Sequence, residues 1–162
     1  MPKAGIQFSK KDEWYTPKEV IDFFGPFDYD PATTDVQAKY LGIPNYDTIS
    51  SDGLKANWSQ YDKIWINPPF TRKFEFLKKA IDIESHIFFL MPIETMTTGK
   101  FHKIMSSYRG GYTLWIPNGR IKFDDGSGNC SSPAFGSVIL ELHGRVKRIK
   151  RIKYWSLYGE DS

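Results

Sequence analysis

Short runs of hydrophobic residues alternate along the chain with stretches in which hydrophobic residues recur every three or four positions. The continuous or alternating runs predict strands, over residues 27–30, 63–66, 86–91, 112–116 and 137–142. The three- and four-residue spacing predicts helices, from residue 17 to Gly25 and over 72–84 and 98–107. Strands that alternate with helices predict an α/β fold, and no linker divides the chain, so we expect one domain over residues 1–162.

Local signals refine the ends of these elements. Thr16 before Pro17, with Glu19 three residues after the threonine, forms a capping box that predicts the start of the first helix. A proline stops the first strand, so Asp30 is expected at its carboxyl-terminal tip. Residues 31–60 are rich in turn signals and are expected to be compressed and partly irregular. A loop rich in Gly, Ser and Asn is expected between the last two predicted strands.

The two ends of the chain differ from its middle. Residues 1–11 are polar and basic without periodicity, and we expect them to form a loose arm. Residues 144–162 form a basic tail in which hydrophobic residues are interleaved with lysines and arginines. This tail fits either an edge strand or helix whose charges face water, or a surface that contacts phosphates.

Composition restricts the class of protein. Of the 162 residues, 40% are hydrophobic and 25% are charged, which fits a globular domain and not a disordered chain. The longest hydrophobic run, residues 87–91, is too short to span a bilayer, and the amino terminus lacks an apolar signal segment. We therefore expect a soluble cytoplasmic protein with no membrane partner.

Charge and side-chain chemistry indicate the kind of partner. The net charge of +3 permits binding to a polyanion, and the aromatic content of 16% suggests faces that stack on planar ligands. The single cysteine, Cys130, cannot form an intramolecular disulfide. With only three histidines, the chain is expected to offer no cluster of metal ligands and to need no metal.

The most specific motif is Asn67-Pro68-Pro69-Phe70, which follows the strand predicted over 63–66. The prolines end the strand and hold the backbone extended, so the Asn67 side-chain carbonyl and the Pro68 main-chain carbonyl can accept hydrogen bonds from one amino group. Phe70 offers a face to a planar ring. Because two aligned acceptors raise the reactivity of an exocyclic amine in the transition state, the motif predicts an amine-recognition site. A turn that only ends the strand is the structural alternative.

With this motif the chain resembles the S-adenosylmethionine-dependent amino-methyltransferases, and from about residue 12 to residue 142 it is similar to the phage-type, Dam-like DNA N6-adenine methyltransferases. The segments that carry the resemblance are Trp14–Pro17, Phe27–Ala32, Ser51–Leu54 with Trp58, Ile64–Phe70 and Asn118–Phe123. The resemblance implies a minimal Rossmann-like methyltransferase fold, a three-layer sandwich around a mixed, mostly parallel sheet. It also implies methyl transfer from S-adenosylmethionine to N6 of an adenine flipped out of double-stranded DNA.

The resemblance further assigns residues to the cofactor. Those expected to contact S-adenosylmethionine are Trp14, Thr16, Pro17, Asp30, Pro31, Ala32, Asp52 and Asn67. The glycine-rich loop of this cofactor's binding fold is missing after Asp30, where Thr33, Thr34 or Asp47 could contact the ribose or the carboxylate. An ordinary turn is the structural alternative for Asp52.

Basic residues are expected to contact the DNA backbone, namely Arg120, Lys122, Lys147 and Arg148. A solvated hairpin is the alternative for the first two. Other functions stay open: methylation of cytosine N4, of RNA adenine or of a protein glutamine amide, and a catalytically inactive DNA-binding relative. Monomer and homodimer are both open. A role in restriction–modification is one possible setting, and a phage-encoded protein would act in the host cytoplasm.

Overall fold

A computed structural model of the chain describes residues 15–124, 130–131, 135–146 and 148–159. Within these ranges no helix is both long and hydrophobic enough to cross a bilayer. The helices are α1 (Lys18–Phe24), α2 (Asp35–Leu41), α3 (Lys73–Ile81) and α4 (Gly99–Ser107). The strands are β1 (Tyr29–Asp30), β2 (Asn45–Tyr46), β3 (Lys63–Ile66), β4 (His86–Pro92), β5 (Tyr112–Pro117), β6 (Phe123–Asp124), β7 (Cys130–Ser131), β8 (Ser137–Leu142) and β9 (Lys150–Trp155).

The main sheet has seven strands in the order β2-β1-β3-β4-β8-β5-β9, and β6 pairs with β7 in a separate hairpin. β8 runs antiparallel to both of its neighbours, whereas the other pairs in the main sheet are parallel. This confirms the predicted α/β fold with a mixed, mostly parallel sheet. The order of connection reverses between β1 and β3, and such a switch point leaves a crevice at the carboxyl ends of the strands.

Successive side chains of the central strands face opposite sides of the sheet and build two hydrophobic clusters. One face is covered by α3 and α4 through a cluster that includes Ile64, Ile66, Leu77, Phe89 and Ile104. The other face is covered by α1 through a cluster that includes Val20, Phe24, Trp65, Phe88 and Trp155. Helices on both faces of one sheet make the three layers that the sequence predicts.

The predicted capping box at the start of α1 is wrong. The residue at the N-cap position is Pro17, whose side chain makes no capping hydrogen bond. Thr16 is only 2% exposed, and its hydroxyl accepts a hydrogen bond from the side-chain amide of Asn67. The hydroxyl is therefore used in a contact between distant parts of the chain, which the local pattern does not reveal.

The prediction for residues 31–60 is wrong in part, because α2 and β2 lie within the region expected to be irregular. Thr34 caps α2 by accepting a hydrogen bond from the Gln37 N–H, and Gly42 ends it in the left-handed conformation, with φ 71°. Val36 and Tyr40 on this helix are exposed. Exposed hydrophobic residues on the outer face of α2 obscure the spacing by which a helix is found in the sequence.

The basic tail contains the edge strand β9, which pairs in parallel with β5. Of its six residues, only Trp155 is buried. The prediction that the tail forms an edge strand is therefore confirmed for β9, and the alternative that this segment forms a helix is wrong. Residues 1–11 lie outside the described residues, and so do Trp14 and Lys147.

Candidate active site

A cleft opens at the switch point between β1 and β3, at the carboxyl ends of the parallel strands. Its walls come from the segments that follow β1 and β3, the end of β4, and the hairpin segment near Phe123. The sequence-predicted residues that line it are Pro31, Ala32, Asp52, Asn67, Pro68, Pro69 and Phe70. Segments that are far apart in the sequence, from Pro31 to Phe123, therefore meet at one site, as the sheet topology requires.

Asn67 follows the last residue of β3, where the two prolines end the strand. Its Nδ2 donates a hydrogen bond to Thr16 Oγ1 over 3.3 Å. Since the amide oxygen and nitrogen lie on opposite sides of the group, this contact sets which side of the cleft the Asn67 carbonyl faces. The sequence predicted both residues at the site but not the hydrogen bond that joins them.

Phe70 packs edge to face against Phe135, with ring centroids 5.2 Å apart and an interplanar angle of 78°. Both rings line the cleft and are partly exposed. The sequence predicted only Phe70, because Phe135 follows the loop rich in Gly and Ser and carries no local signal. The pair forms an aromatic wall beside Asn67.

Asp52 has φ 54° and is the only residue other than glycine with a positive φ in the part of the chain that the structure describes. Its carboxylate caps the following turn by accepting a hydrogen bond from the Leu54 N–H at 3.3 Å, and its Oδ1 lies 3.6 Å from Nη1 of Arg72. A left-handed conformation costs a residue with a side chain about 1–3 kcal/mol, and such residues cluster at binding sites. The turn predicted as the alternative for Asp52 is present, and it places the carboxylate in the wall of the cleft.

Gly53 fixes the position of this turn against the loop after β1. A Cβ atom at Gly53 would overlap the carbonyl group of Pro31, so only glycine permits the approach. The carbonyl oxygen of Gly53 accepts a hydrogen bond from Trp58 Nε1 at 2.7 Å. The Asp-Gly-Leu segment and its tryptophan therefore act together to hold Asp52 beside Pro31 and Ala32.

Asp30 lies behind the cleft wall and is only 2% exposed. Its carboxylate accepts a hydrogen bond from the Ala32 N–H at 2.9 Å. Burial raises the pKa of Asp30 from 3.8 to about 7, although the Ala32 hydrogen bond opposes the change. A carboxyl group with this pKa gains or loses its proton near neutral pH in response to a nearby charge.

Gln37 is a cleft residue that sequence reasoning missed, because α2 was not predicted. Its Oε1 accepts a hydrogen bond from the Thr33 hydroxyl at 3.2 Å. Its Nε2 is buried, and among the described residues nothing accepts a hydrogen bond from it. Buried donors are nearly always paired in native proteins, so Gln37 Nε2 is a donor beside the cleft for which the described part of the chain supplies no acceptor.

Thr33, Thr34 and Asp47 are the residues predicted as possible contacts of the cofactor ribose or carboxylate, and the structure places them differently. Thr33 and Thr34 line the cleft. Asp47 is not among the described residues that line it, and its carboxylate accepts a hydrogen bond from the Tyr29 hydroxyl. That hydrogen bond occupies Asp47 in holding β1 to the segment after β2.

The basic residues predicted to bind DNA lie at different edges of the sheet. β8 is antiparallel to both β4 and β5, so these two strands point the same way, and Arg120 and Lys122 follow β5 at the cleft edge. Arg148 precedes β9 and lies at the opposite edge. Lys122 is exposed, and its main-chain N–H donates to the Tyr158 hydroxyl over 2.8 Å.

Comparison with known proteins gives a consistent result. A sequence model of the family described as DNA N-6-adenine-methyltransferase (Dam) matches residues 3–152. A protein of Escherichia phage T1 described as a DNA N-6-adenine-methyltransferase is 32% identical over 94 residues, which cover 54% of this chain and 38% of the phage protein. The chain thus spans less than half the length of that relative.

Two solved structures show weaker similarity. One is a putative class I S-adenosylmethionine-dependent methyltransferase from Listeria monocytogenes, with a TM-score of 0.47 and 16% identity, covering 76% of this chain and 46% of that chain. The other is a predicted O-methyltransferase from Agrobacterium tumefaciens, with a TM-score of 0.44 and 10% identity, covering 83% of this chain and 69% of that chain.

Proposed function

The chain belongs to the Dam family of DNA N-6-adenine-methyltransferases, and from this premise we propose that it transfers a methyl group from S-adenosylmethionine to the N6 amino group of adenine in DNA. The observation that carries the proposal is the position of the Asn67–Phe70 motif, which lines a cleft at the switch point of the sheet. Ligands of open α/β sheets bind at this position. The motif places two oxygen acceptors and an aromatic ring there.

The cleft fits S-adenosylmethionine in the chemistry of its donors and acceptors. Gln37 Nε2 has no acceptor among the described residues and can donate to a ribose or carboxylate oxygen once its side chain turns toward the cleft, and Thr33 and Thr34 lie on the same wall. The Asp52 carboxylate can accept a hydrogen bond from the adenine amino group, and Asp30 lies behind Pro31 and Ala32 where it can balance positive charge. When bound, the cofactor supplies an electrophilic methyl group.

The Asn67 side chain and the Pro68 main chain act on the amine that accepts the methyl group. Their carbonyl oxygens accept its two N–H hydrogen bonds, which orients the nitrogen lone pair and draws the nitrogen away from conjugation with the ring. Thr16 keeps the Asn67 amide in the required orientation through the Nδ2–Oγ1 hydrogen bond. Asn67 and Pro68 would hold the amine while the bound cofactor supplied the methyl group, with S-adenosylhomocysteine as the second product and one N6 proton lost to solvent.

An adenine inside a duplex cannot reach this cleft, so the base has to leave the stack. Unstacking and unpairing cost a few kcal/mol, and stacking against aromatic side chains recovers part of that cost. The Phe70–Phe135 wall lies beside Asn67 and can receive the base. Aromatic residues at the cleft therefore account for part of the high aromatic content.

The loop after β5 is the proposed contact with the DNA backbone. Lys122 precedes Phe123, which lines the cleft, so positive charge lies at its rim. The Tyr158 hydroxyl accepts the Lys122 main-chain N–H, and the Lys122 ammonium lies 5.2 Å from the Tyr158 ring. Arg120 lies in the same loop. We do not include Arg148 in this surface, because it lies at the opposite edge of the sheet.

The remaining predictions follow from a DNA substrate. We propose that residues 1–162 act as one domain, since one sheet runs through the described part of the chain from β2 to β9. The protein then acts in the compartment that holds DNA, which is the host cytoplasm if the chain is phage-encoded. Protection of DNA against a nuclease is one setting for such an activity.

The experiment that tests the proposal identifies the methylated product. Protein produced in a host without adenine methylation is incubated with S-adenosylmethionine and duplex DNA, and the nucleosides are analysed by mass spectrometry. We expect N6-methyladenine with the natural protein and none above background with Asn67→Ala. Methylated cytosine N4, or product only with RNA or protein, would assign the cleft to another amine. Cofactor binding without any product would indicate an inactive relative.

A further inference from the structure

A cluster of His86, Glu141 and His143 lies at the edge of the sheet opposite the cleft. His86 begins β4, and Glu141 lies near the end of β8, so the antiparallel register brings the two strand ends together. One potential ligand atom from each of the three residues lies within 4.8 Å of the other two. The expectation that three histidines offer no cluster of metal ligands does not hold, because folding pairs two of them around a carboxylate.

The two imidazoles converge on one oxygen of the glutamate. His86 Nε2 lies 2.7 Å from Glu141 Oε2, and His143 Nδ1 lies 3.5 Å from the same oxygen. Ligand atoms around a tetrahedral Zn²⁺ with bonds of about 2.0–2.2 Å are about 3.3–3.6 Å apart. The distance from His143 Nδ1 to Glu141 Oε2 lies in this range and the distance from His86 Nε2 lies below it, and the ligand atoms of the three residues lie within 4.8 Å of one another. Shifts of about 1 Å would bring the three atoms to metal-binding distances.

Glu141 and His143 each have a second polar atom, and that atom contacts a residue outside the cluster. Trp115 Nε1 donates a hydrogen bond to Glu141 Oε1 at 2.8 Å, which leaves Oε2 directed toward the histidines. Thr113 Oγ1 lies 2.8 Å from His143 Nε2. If that nitrogen carries the proton, Nδ1 presents its lone pair to the cluster. Outer hydrogen bonds of this kind orient metal ligands in known sites.

The cluster is accessible to an ion from solvent. Glu141 is largely buried, whereas the side chain of His86 is 39% exposed. A second cavity of the protein is lined by His86 and His143, and the exposed carboxylates of Asp62 and Glu84 lie on its rim. Arg145 pairs with the Glu84 carboxylate at 3.4 Å, so the negative charge at the rim comes mainly from Asp62. The largely buried Glu141 carboxylate behind two partly exposed imidazoles favours a cation that accepts nitrogen ligands.

We propose that His86, Glu141 and His143 form a binding site for one Zn²⁺ ion. Three protein ligands leave a fourth tetrahedral position, which water can fill from the cavity. The site is separate from the proposed active site, since β4 runs from His86 to the cleft residues Met91 and Pro92, about 20 Å away along the strand. The ion would clamp β4 to β8 at the amino-terminal edge of the sheet.

The test measures Zn²⁺ binding by chelator-treated protein in competition with a chromophoric chelator. We expect the natural protein to bind one equivalent. His86→Gln and Glu141→Gln should each weaken binding at least about tenfold, since each removes a ligand and keeps a polar side chain. His102→Gln is the matched control, because His102 is an exposed histidine on α4, outside the cluster, whose Nε2 lies 2.8 Å from the Met96 carbonyl oxygen.

A second variant distinguishes loss of Zn²⁺ binding from loss of the fold. Thr113→Val keeps all three ligands and removes only the hydroxyl beside His143, and it should weaken Zn²⁺ binding about tenfold. Zn²⁺ should raise the melting temperature of the natural protein and of His102→Gln more than that of the other variants. Equal affinity in His86→Gln and the natural protein, or no saturable binding by the natural protein, would show that the cluster is only a hydrogen-bonded network.

Discussion

The polar groups at the two edges of the sheet differ in how well their hydrogen bonds and charges are satisfied. At the cleft edge, Asp52 adopts a strained conformation, Gln37 Nε2 is buried without an acceptor among the described residues, and burial raises the pKa of Asp30 to about 7. At the opposite edge, burial tends to raise the pKa of Glu141, but the hydrogen bonds from His86 and Trp115 outweigh it and hold the pKa below its ordinary value.

This difference indicates what each edge is built for. Strain and an unpaired donor persist only where the rest of the fold tolerates their cost, and they are relieved when a ligand supplies the missing partner. The polar side chains at the opposite edge already contact one another through hydrogen bonds, so the proposed Zn²⁺ would add to contacts that exist before it binds. Changes at the cleft edge should therefore affect binding and turnover more than stability.

The largest effect is expected from Asn67→Ala. It removes an acceptor that acts on the amine in the transition state, so turnover should fall about 100-fold or more, while cofactor binding stays near normal. A radiolabelled methyl-transfer assay and calorimetry measure the two quantities. Asn45→Ala is the control, because Asn45 is exposed on β2 and bonds only a main-chain carbonyl in the described contacts. Unchanged turnover in Asn67→Ala would contradict the mechanism.

Asp52→Asn should weaken S-adenosylmethionine binding about 5- to 150-fold. Asparagine tolerates the left-handed conformation, so the change removes the charge and leaves the turn intact. Calorimetry measures the affinity. Glu75→Gln is a matched control, because Glu75 pairs with the same Arg72 as Asp52 does but lies outside the residues lining the cleft. Equal affinity in Asp52→Asn and the natural protein would make Asp52 a turn residue only.

Asp30 should make cofactor affinity depend on pH. A cationic ligand favours the ionised carboxylate, and with a pKa of about 7 in the free protein the affinity should rise about tenfold from pH 6 to pH 8. Asp30→Asn should abolish this dependence in calorimetric titrations. An unchanged pH profile in that variant would mean that Asp30 does not respond to the cofactor.

Asp30 should also make the free energy of unfolding depend on pH. The folded carboxyl has a pKa of about 7 and the ordinary value is 3.8, so between about pH 4 and pH 7 the folded state binds more protons than the unfolded state. The contribution of Asp30 therefore lowers the free energy of unfolding as pH rises through this window and is constant above it. Denaturant unfolding of Asp30→Asn should lack this component.

Thr16→Val should lower kcat about tenfold, because the Asn67 amide loses the hydroxyl that orients it. The KM for S-adenosylmethionine should change little. Thr16→Ser retains the hydroxyl and should restore most of the activity, which distinguishes orientation from a general packing defect. If the serine variant is as slow as the valine variant, the hydrogen bond does not position Asn67.

The smallest effect is expected from charge removal in the loop after β5. If Arg120 and Lys122 contact phosphates, each replacement by glutamine should flatten the slope of log affinity against log salt by about 0.9. Arg151→Gln with Lys153→Gln changes the neighbouring strand β9, which pairs with β5, and tests whether the charges of the basic tail contribute to the slope as well. The slope is measured by titrating duplex DNA at several salt concentrations. If it is unaltered when Arg120 and Lys122 are replaced, these side chains do not contact phosphates.

Local patterns were sufficient to find most of the fold. The hydrophobic runs that form β3, β4, β5 and β8 and the spacing that forms α3 and α4 were all recognised, because each element buries a regular face. α2 was missed because its exposed Val36 and Tyr40 broke the pattern, and β2 because two residues are too few to show one.

The sequence by itself determined the layered fold and was sufficient to predict an amine-recognition motif at Asn67–Phe70, since both depend on residues that are neighbours along the chain. Only the tertiary structure decided that Thr16 orients Asn67 instead of capping α1, that Phe135 completes the aromatic wall, and that His86 and His143 converge on Glu141. The contacts of Thr16 with Asn67, of Phe70 with Phe135 and of His86 with Glu141 join residues between 51 and 65 positions apart. Their geometry follows from the order and register of the strands, which no local pattern contains.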